Sequence, residues 1–200
     1  MELAININST VCAKPFVKWA GGKRQLLDTF KQYYPLMLFE GRIKRYIEPF
    51  VGGGAVLFDI LQKYKIEEAF IFDINKDLIN TYIVIKNNVD TLVEYLLDSE
   101  CRYLNLSEKF RKEMYYEIRD AYNSRTFKSN QPDIERAAQF IFLNRTCFNG
   151  LYRVNRAGYF NVPFGDYKNP NICDEKNLYA VNSLLQRVHI FTGDYRESIK

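Results

Sequence analysis

The stretch from Arg45 to Asp73 limits what this chain can fold into more than any other. Arg45-Tyr-Ile-Glu48 reads as a short strand, Gly52-Gly53-Gly54 as a turn, and Ala55–Tyr64 as a helix. Ala69–Asp73 reads as a second strand of the buried type, because Phe70, Ile71 and Phe72 are apolar without alternation. A strand feeding a glycine turn and a helix N-terminus lets the backbone approach a ligand closely. An acid closing the next strand can accept hydrogen bonds from ribose hydroxyls, and Asp73 stands 19 residues after Gly54. The plainer alternative is a tight turn followed by a helix cap near Asn75. Turn and acid together favour a pocket for a nucleoside-bearing cofactor. A dinucleotide fingerprint would need a third glycine at position 57, where Leu57 stands, and no phosphate-binding GxxxxGK[ST] is present. Phe50 beside the turn suits an adenine ring or a sulfonium-bearing ligand, through stacking and cation–π contact.

The rest of the chain alternates around that unit. Residues 1–13 lack periodicity and read as a loose arm. Lys14–Lys31 carries five basic residues against one acid, Asp28, and Gly21-Gly22 opens a helix over Lys23–Tyr33 that Pro35 ends. Asn75–Asn87 is helical, so the first ninety residues predict a parallel sheet flanked by helices. Residues 89–148 are helical throughout, at Asp90–Leu97, Ser107–Tyr122 and Pro132–Arg145, with Asn123–Gln131 as a polar link. Leu151–Val154 and Tyr159–Val162 predict a hairpin across Asn155–Gly158. Glu175–Arg187 is a helix, and Val188–Phe191 a strand returning to the sheet. The predicted fold is α/β, with helices and a hairpin inserted between sheet strands.

Composition narrows the class. With 47% hydrophobic residues in 200, a sizeable core is available, which argues against a disordered chain. A net charge of +4 permits a nucleic-acid partner without requiring one. The four cysteines include no CxxC pair and the single histidine is His189, which argues against a zinc site or a disulfide framework and for reduced thiols. No apolar run of membrane-spanning length and no signal-peptide layout is present, so a soluble, cytoplasmic protein is expected.

Several separate motifs then point one way. Lys18-Trp19-Ala20-Gly21-Gly22-Lys23, Glu48-Pro49-Phe50-Val51-Gly52-Gly53-Gly54 and Asp73-Ile74-Asn75 resemble the opening motifs of Dam-type (D12 class) DNA adenine-N6 methyltransferases. Asn144-Arg145, Phe148-Asn149-Gly150-Leu151-Tyr152-Arg153 and Phe160-Asn161-Val162-Pro163-Phe164-Gly165 resemble that family's DNA-recognition segment, in the same order. The resemblance runs from about Lys14 to the C-terminus. It implies a Rossmann-like sheet binding S-adenosylmethionine, built from residues 14–88 and 174–200, with a target-recognition insert of helices and a β-hairpin at 89–173. By that similarity Trp19 and Lys23 contact the methionine half of the cofactor. Phe50, Gly52 and Gly54 line its pocket, Asp73 holds the ribose, and Asp194 with Tyr195 borders the adenine. Bland alternatives stay open: Trp19 as a core aromatic, Lys23 as a solvated helix start, Asp194 as a cap for the residues after it.

The same similarity makes residues 144–165 a reader of double-stranded DNA. Arg153 suits the paired acceptors of guanine in the major groove. Phe148 and Asn149 would occupy the gap left by a flipped adenine, with Asn161 and Pro163 shaping the segment. Arg145, Arg156 and Lys168 would serve phosphates. Phe148 as a core residue and Arg156 as a solvated turn charge are the plainer readings. Asp166 departs from the basic residue often found there in members reading GATC, which argues against that target.

The family's catalytic Asp-Pro-Pro-Tyr segment does not occur in the 200 residues, so no catalytic residue is assigned among them. The expectation is an N-terminal portion of a methyltransferase with poor turnover alone, working beside a cognate restriction endonuclease. A non-catalytic DNA-binding remnant or a split subunit is the alternative. A nucleotide-dependent oxidoreductase is disfavoured by the missing third glycine.

Overall fold

The computed structural model describes residues 11–124 and 132–199. Lys23–Leu26 makes a 3-10 turn that runs into α1 (Leu27–Lys31). Pro35, in an extended conformation, then starts α2 (Leu36–Phe39), a piece not expected from the sequence. β1 (Arg45–Glu48) leads through the glycine turn into α3 (Ala55–Lys63), and β2 (Glu68–Asp73) into α4 (Lys76–Asn87). Helix starts are set by side chains. Asn75 Oδ1 accepts from the Leu78 N–H at the head of α4 (3.0 Å), and Asp133 does the same for Arg136 in α7 (Ile134–Thr146) at 2.9 Å. Between them lie α5 (Val89–Leu104) and α6 (Glu108–Ser124). α5 continues seven residues beyond its expected end, because Tyr103 extends the buried stripe of Leu92, Val93 and Leu96. α8 (Glu175–Leu185) and β3 (Val188–Thr192) complete the described elements, followed by a 3-10 turn at Tyr195–Ile199.

The three strands form a parallel sheet in the order β1-β2-β3. Ala69 and Ile71 of β2 face a core shared with α3, α4, α5, α7 and α8, in one continuous hydrophobic cluster. The helices of 89–148 therefore have no separate core. On the other sheet face the register aligns Ile47 with Phe70, and Phe72 with Phe191, with Ile47 and Phe191 exposed. β2 is thus less enclosed than its unbroken apolar run predicts. No helix among the described residues is long and apolar enough to cross a membrane.

The expected hairpin is reduced to a single bridge between Val154 and Phe160, flanked by Asn155 N–H to Tyr159 O (2.9 Å) and Asn161 N–H to Arg153 O (3.1 Å). Two side chains explain the shortfall. Asn155 Oδ1 accepts from both Ala157 and Tyr159, closing the turn on itself. The Arg153 guanidinium donates to the Asn161 carbonyl (3.2 Å), the acceptor its own backbone N–H would use in a longer ladder. The expected polar link before Gln131 falls largely outside the described residues.

Candidate functional site

The glycine turn is fastened from both sides. Gly52 and Gly54 have positive φ (52° and 81°). A Cβ on Gly54 would sit 2.5 Å from the Tyr82 hydroxyl oxygen, so both shape and space demand glycine there. Tyr82 is fully buried and donates to the Gly52 carbonyl (2.9 Å), and burial holds its hydroxyl protonated far above the ordinary range. Asp73, at the carboxyl end of central β2, accepts from the Gly52 N–H through Oδ2 (3.0 Å) and from the Asn75 N–H through Oδ1 (2.9 Å). Each carboxylate oxygen keeps capacity for a further donor. Turn and acid, paired in the sequence only by spacing, are one hydrogen-bonded unit.

Beside them opens a cavity of about 970 Å³, lined by Trp19, Lys23, Glu48, Phe50, Gly52 and Asp73, and also by Arg145 and Asp174. Lys23 Nζ donates to the Phe50 carbonyl (2.8 Å) and to Glu48 Oε1 (3.1 Å), so it is a placed cation and not a freely solvated one. Glu48 is only 5% exposed, and its Oε2 accepts from the Tyr46 hydroxyl (3.0 Å). Burial raises its carboxyl pKa, and the Lys23 charge opposes that rise. Glu48 was missing from the sequence-derived site. Its signal was an acid at a strand's end on the face that turned inward. Phe50 is 60% exposed, with its ring 5.6 Å from that of Tyr195. Asp194 accepts from the Arg196 N–H and pairs with its guanidinium, as a cap for the turn that follows it. Trp19 stacks on Tyr152 (5.4 Å, 22°) while lining the cavity, so it serves the core and the pocket together.

The other expected residues gather at the end of α7. Buried Asn144, also absent from the sequence-derived site, accepts from the Lys18 N–H (2.7 Å) and donates to the carbonyls of Lys18 (2.8 Å) and Gly150 (2.9 Å). It ties the basic loop to the start of the reading segment. The Lys18 stem lies where a Cβ on Gly150 would be, and its ammonium sits 4.7 Å above the Tyr167 ring. Arg145 is half-buried, donates to the Phe16 carbonyl (2.8 Å) and faces the cavity, where burial lowers its pKa. It is less available to an outer phosphate than its position in the sequence implies. Phe148 is 52% exposed, which sets aside the core reading, and its N–H donates to the Pro163 carbonyl (2.9 Å). Asn149 holds a left-handed conformation (φ 55°). Arg153 is exposed, and its Nε donates to Asn161 Oδ1 (2.8 Å). Arg156 and Lys168 are exposed on the same segment. The Asp166 charge acts on the Tyr103 hydroxyl, beside the Arg111 guanidinium that lies over that ring.

A cavity presenting an acid, a fixed ammonium, backbone N–H groups and aromatic faces suits a nucleoside with a charged tail. Next to it lies an exposed surface carrying an aromatic and several cations, suited to a nucleic acid. Comparison with known proteins agrees. Residues 19–200 match the D12 class N6 adenine-specific DNA methyltransferase family. The chain is 55% identical over 182 residues to the type II methyltransferase M.MjaIII of Methanocaldococcus jannaschii, covering 91% of this chain and 62% of the relative. It is 35% identical over 189 residues to the type II methyltransferase M1.LlaDCHI of Lactococcus lactis subsp. cremoris, covering 94% and 61%. It is 36% identical over 187 residues to the DNA adenine methylase of Escherichia coli (strain K12), covering 93% and 59%. The chain thus spans about three fifths of the length of these curated relatives.

Proposed function

The chain belongs to the D12 class N6 adenine-specific DNA methyltransferase family, and from that premise we propose that it forms the cofactor-holding and DNA-reading part of an enzyme that methylates N6 of adenine in duplex DNA. The observation that carries the proposal is the hydrogen-bonded unit of Asp73 with the Gly52–Gly54 turn, opening on a cavity beside the exposed Phe148–Arg153 segment. When bound, S-adenosylmethionine supplies an electrophilic methyl group on a sulfonium. Asp73 accepts the ribose hydroxyls, Phe50 and Tyr195 flank the base, and Lys23, held by Glu48, takes the methionine carboxylate. Trp19 closes the side of that pocket. Residues 14–88 and 174–200 form this half of the site, and 89–173 the recognition half.

On the DNA side, Arg153 reads a base edge, and Phe148 and Asn149 fill the stack where the target base leaves it. Asn161 sets the direction of Arg153, and Pro163 fixes the backbone of Phe148. Arg145, inside the cavity, favours the negative charge of the strand entering it. The 200 residues contain no Asp-Pro-Pro-Tyr segment, so the proposal gives none of them the task of accepting the amine protons. Two relatives are named type II methyltransferases. The proposal accordingly extends to a cytoplasmic restriction-modification role, with a cognate endonuclease as functional partner.

The test is methyl transfer from labelled S-adenosylmethionine to duplex DNA by the natural full-length gene product, followed by mapping of the label. Label in N6-methyladenine at one recurring sequence is expected. Label in cytosine, in RNA alone or in neither contradicts the proposal.

A further inference from the structure

Arg153, an exposed residue of the reading segment, is preceded by a half-buried tyrosine that touches the cofactor side of the molecule. The Tyr152 ring stacks on Trp19 at 5.4 Å and packs against Phe140 (5.4 Å) and Phe160 (5.8 Å). Its hydroxyl donates to Asp77 Oδ2 (3.3 Å) in the first turn of α4, four residues after Asp73. Trp19 in turn lies against the glycine turn, with Cδ1 3.0 Å from where a Gly52 Cβ would stand. The other Asp77 oxygen is engaged by Arg136 of α7. Tyr152 therefore meets one wall of the cofactor pocket through Trp19, and through Asp77 it meets the helix that follows Asp73. Its own backbone carries Arg153.

Resting on the reading proposed above, we propose that Tyr152 is a positioning residue that couples cofactor occupancy to the placement of Arg153. A cofactor pressing on Trp19 fixes the Tyr152 ring stacked on it, with the Asp77 bond as second anchor, and the reading segment with it. Two ligands that order the same contact favour one another reciprocally. Burial keeps the Tyr152 hydroxyl protonated, so it stays a donor to Asp77.

The experiment measures the affinity of the 200-residue chain for a duplex carrying the sequence that the methyl-transfer mapping above identifies, with and without saturating S-adenosylmethionine. It compares wild type, Tyr152→Phe and Tyr152→Ala, with circular dichroism to confirm folding. For wild type, cofactor is expected to tighten DNA binding about fivefold or more, the lower end of ordinary coupling. Tyr152→Ala brings that ratio close to one. Tyr152→Phe, which keeps the ring and loses the Asp77 bond, falls between them while folding normally. A ratio unchanged in both variants, or a wild-type ratio of one, overturns the proposal. Absence of any cofactor binding by wild type in a separate titration overturns the underlying reading, and this inference with it. A merely structural tyrosine would weaken both ligands in parallel and leave the ratio unaltered, which also overturns it.

Discussion

At Gly52–Gly54 the half-buried Asp73 carboxylate accepts from the Gly52 N–H and the buried Tyr82 hydroxyl donates to the Gly52 carbonyl, so two side chains close on one short piece of backbone. In residues 148–165 the chain is held mainly by single side-chain clamps: Asn144 on Gly150, Asn123 on Phe160, and the Tyr115 hydroxyl on the Val162 carbonyl (2.8 Å). Both are loops with glycines at positive φ. The first packs into the core at the carboxyl ends of the strands, and the second is largely exposed. A cofactor of fixed shape suits the first arrangement, because a preorganised pocket spends little on ordering itself. A long, deformable polymer suits the second, since loops carried on a rigid scaffold adapt to what they read.

The sharpest way to break this contrast is the same substitution at one glycine of each region. Gly54→Ala adds a left-handed alanine and forces Cβ into Tyr82 and Phe58; a loss of about 3 kcal/mol is expected from backbone strain and overpacking together. Gly158→Ala meets open space at φ 84°, so only the backbone cost of about 1 kcal/mol is expected. Urea unfolding midpoints compare them, and equal losses would erase the distinction.

Next come two substitutions that separate the ligands. Asp73→Ala removes an acceptor already engaged with the turn, and a cofactor affinity loss of about 2 kcal/mol is expected, from hydrogen bonds to a charged group. DNA binding without cofactor should stay unchanged. Arg153→Ala should do the reverse, costing about 1–3 kcal/mol of discrimination at one base pair with cofactor affinity unmoved. Calorimetry and competition gel shifts read the two. Parallel losses in both assays would mean that the regions are not separable.

The smallest effects concern the thiols. Burial pushes Cys147, at the root of the reading segment, up to about 11, and Cys173 up to about 12, from an ordinary value of 9.0. In the unfolded chain these thiols ionise first, so stability is fully present below about pH 9. It falls as pH rises from there through the folded values, because the unfolded state then binds fewer protons. A thiol reagent at neutral pH should label Cys12 and Cys101, which are exposed, and reach the other two only after unfolding. Fast labelling of Cys147 would show that the reading segment opens more readily than its clamps imply.

The sequence displayed the pocket better than the reader, for a physical reason. Gly52, Gly54 and Asp73 lie within one strand–helix–strand unit, where local periodicity and spacing carry the information. Glu48 and Asn144 were not selected, because their roles depend on partners distant in sequence, Lys23 and Lys18. The Arg196 partner of Asp194 was not read from the sequence, because a cap's partner is fixed by the turn's geometry. The hairpin was expected from alternation alone, and the Arg153 guanidinium took the Asn161 carbonyl that a ladder needed. The bare sheet face carrying Ile47 and Phe191 was hidden because an unbroken apolar run does not say how many faces are covered.

The most direct measurement is calorimetric titration of the 200-residue chain with S-adenosylmethionine and, separately, with NAD. The pocket built on Asp73, Lys23 and Phe50 predicts saturable one-to-one binding of S-adenosylmethionine and none of NAD. Binding of NAD without S-adenosylmethionine, or of neither, would contradict it.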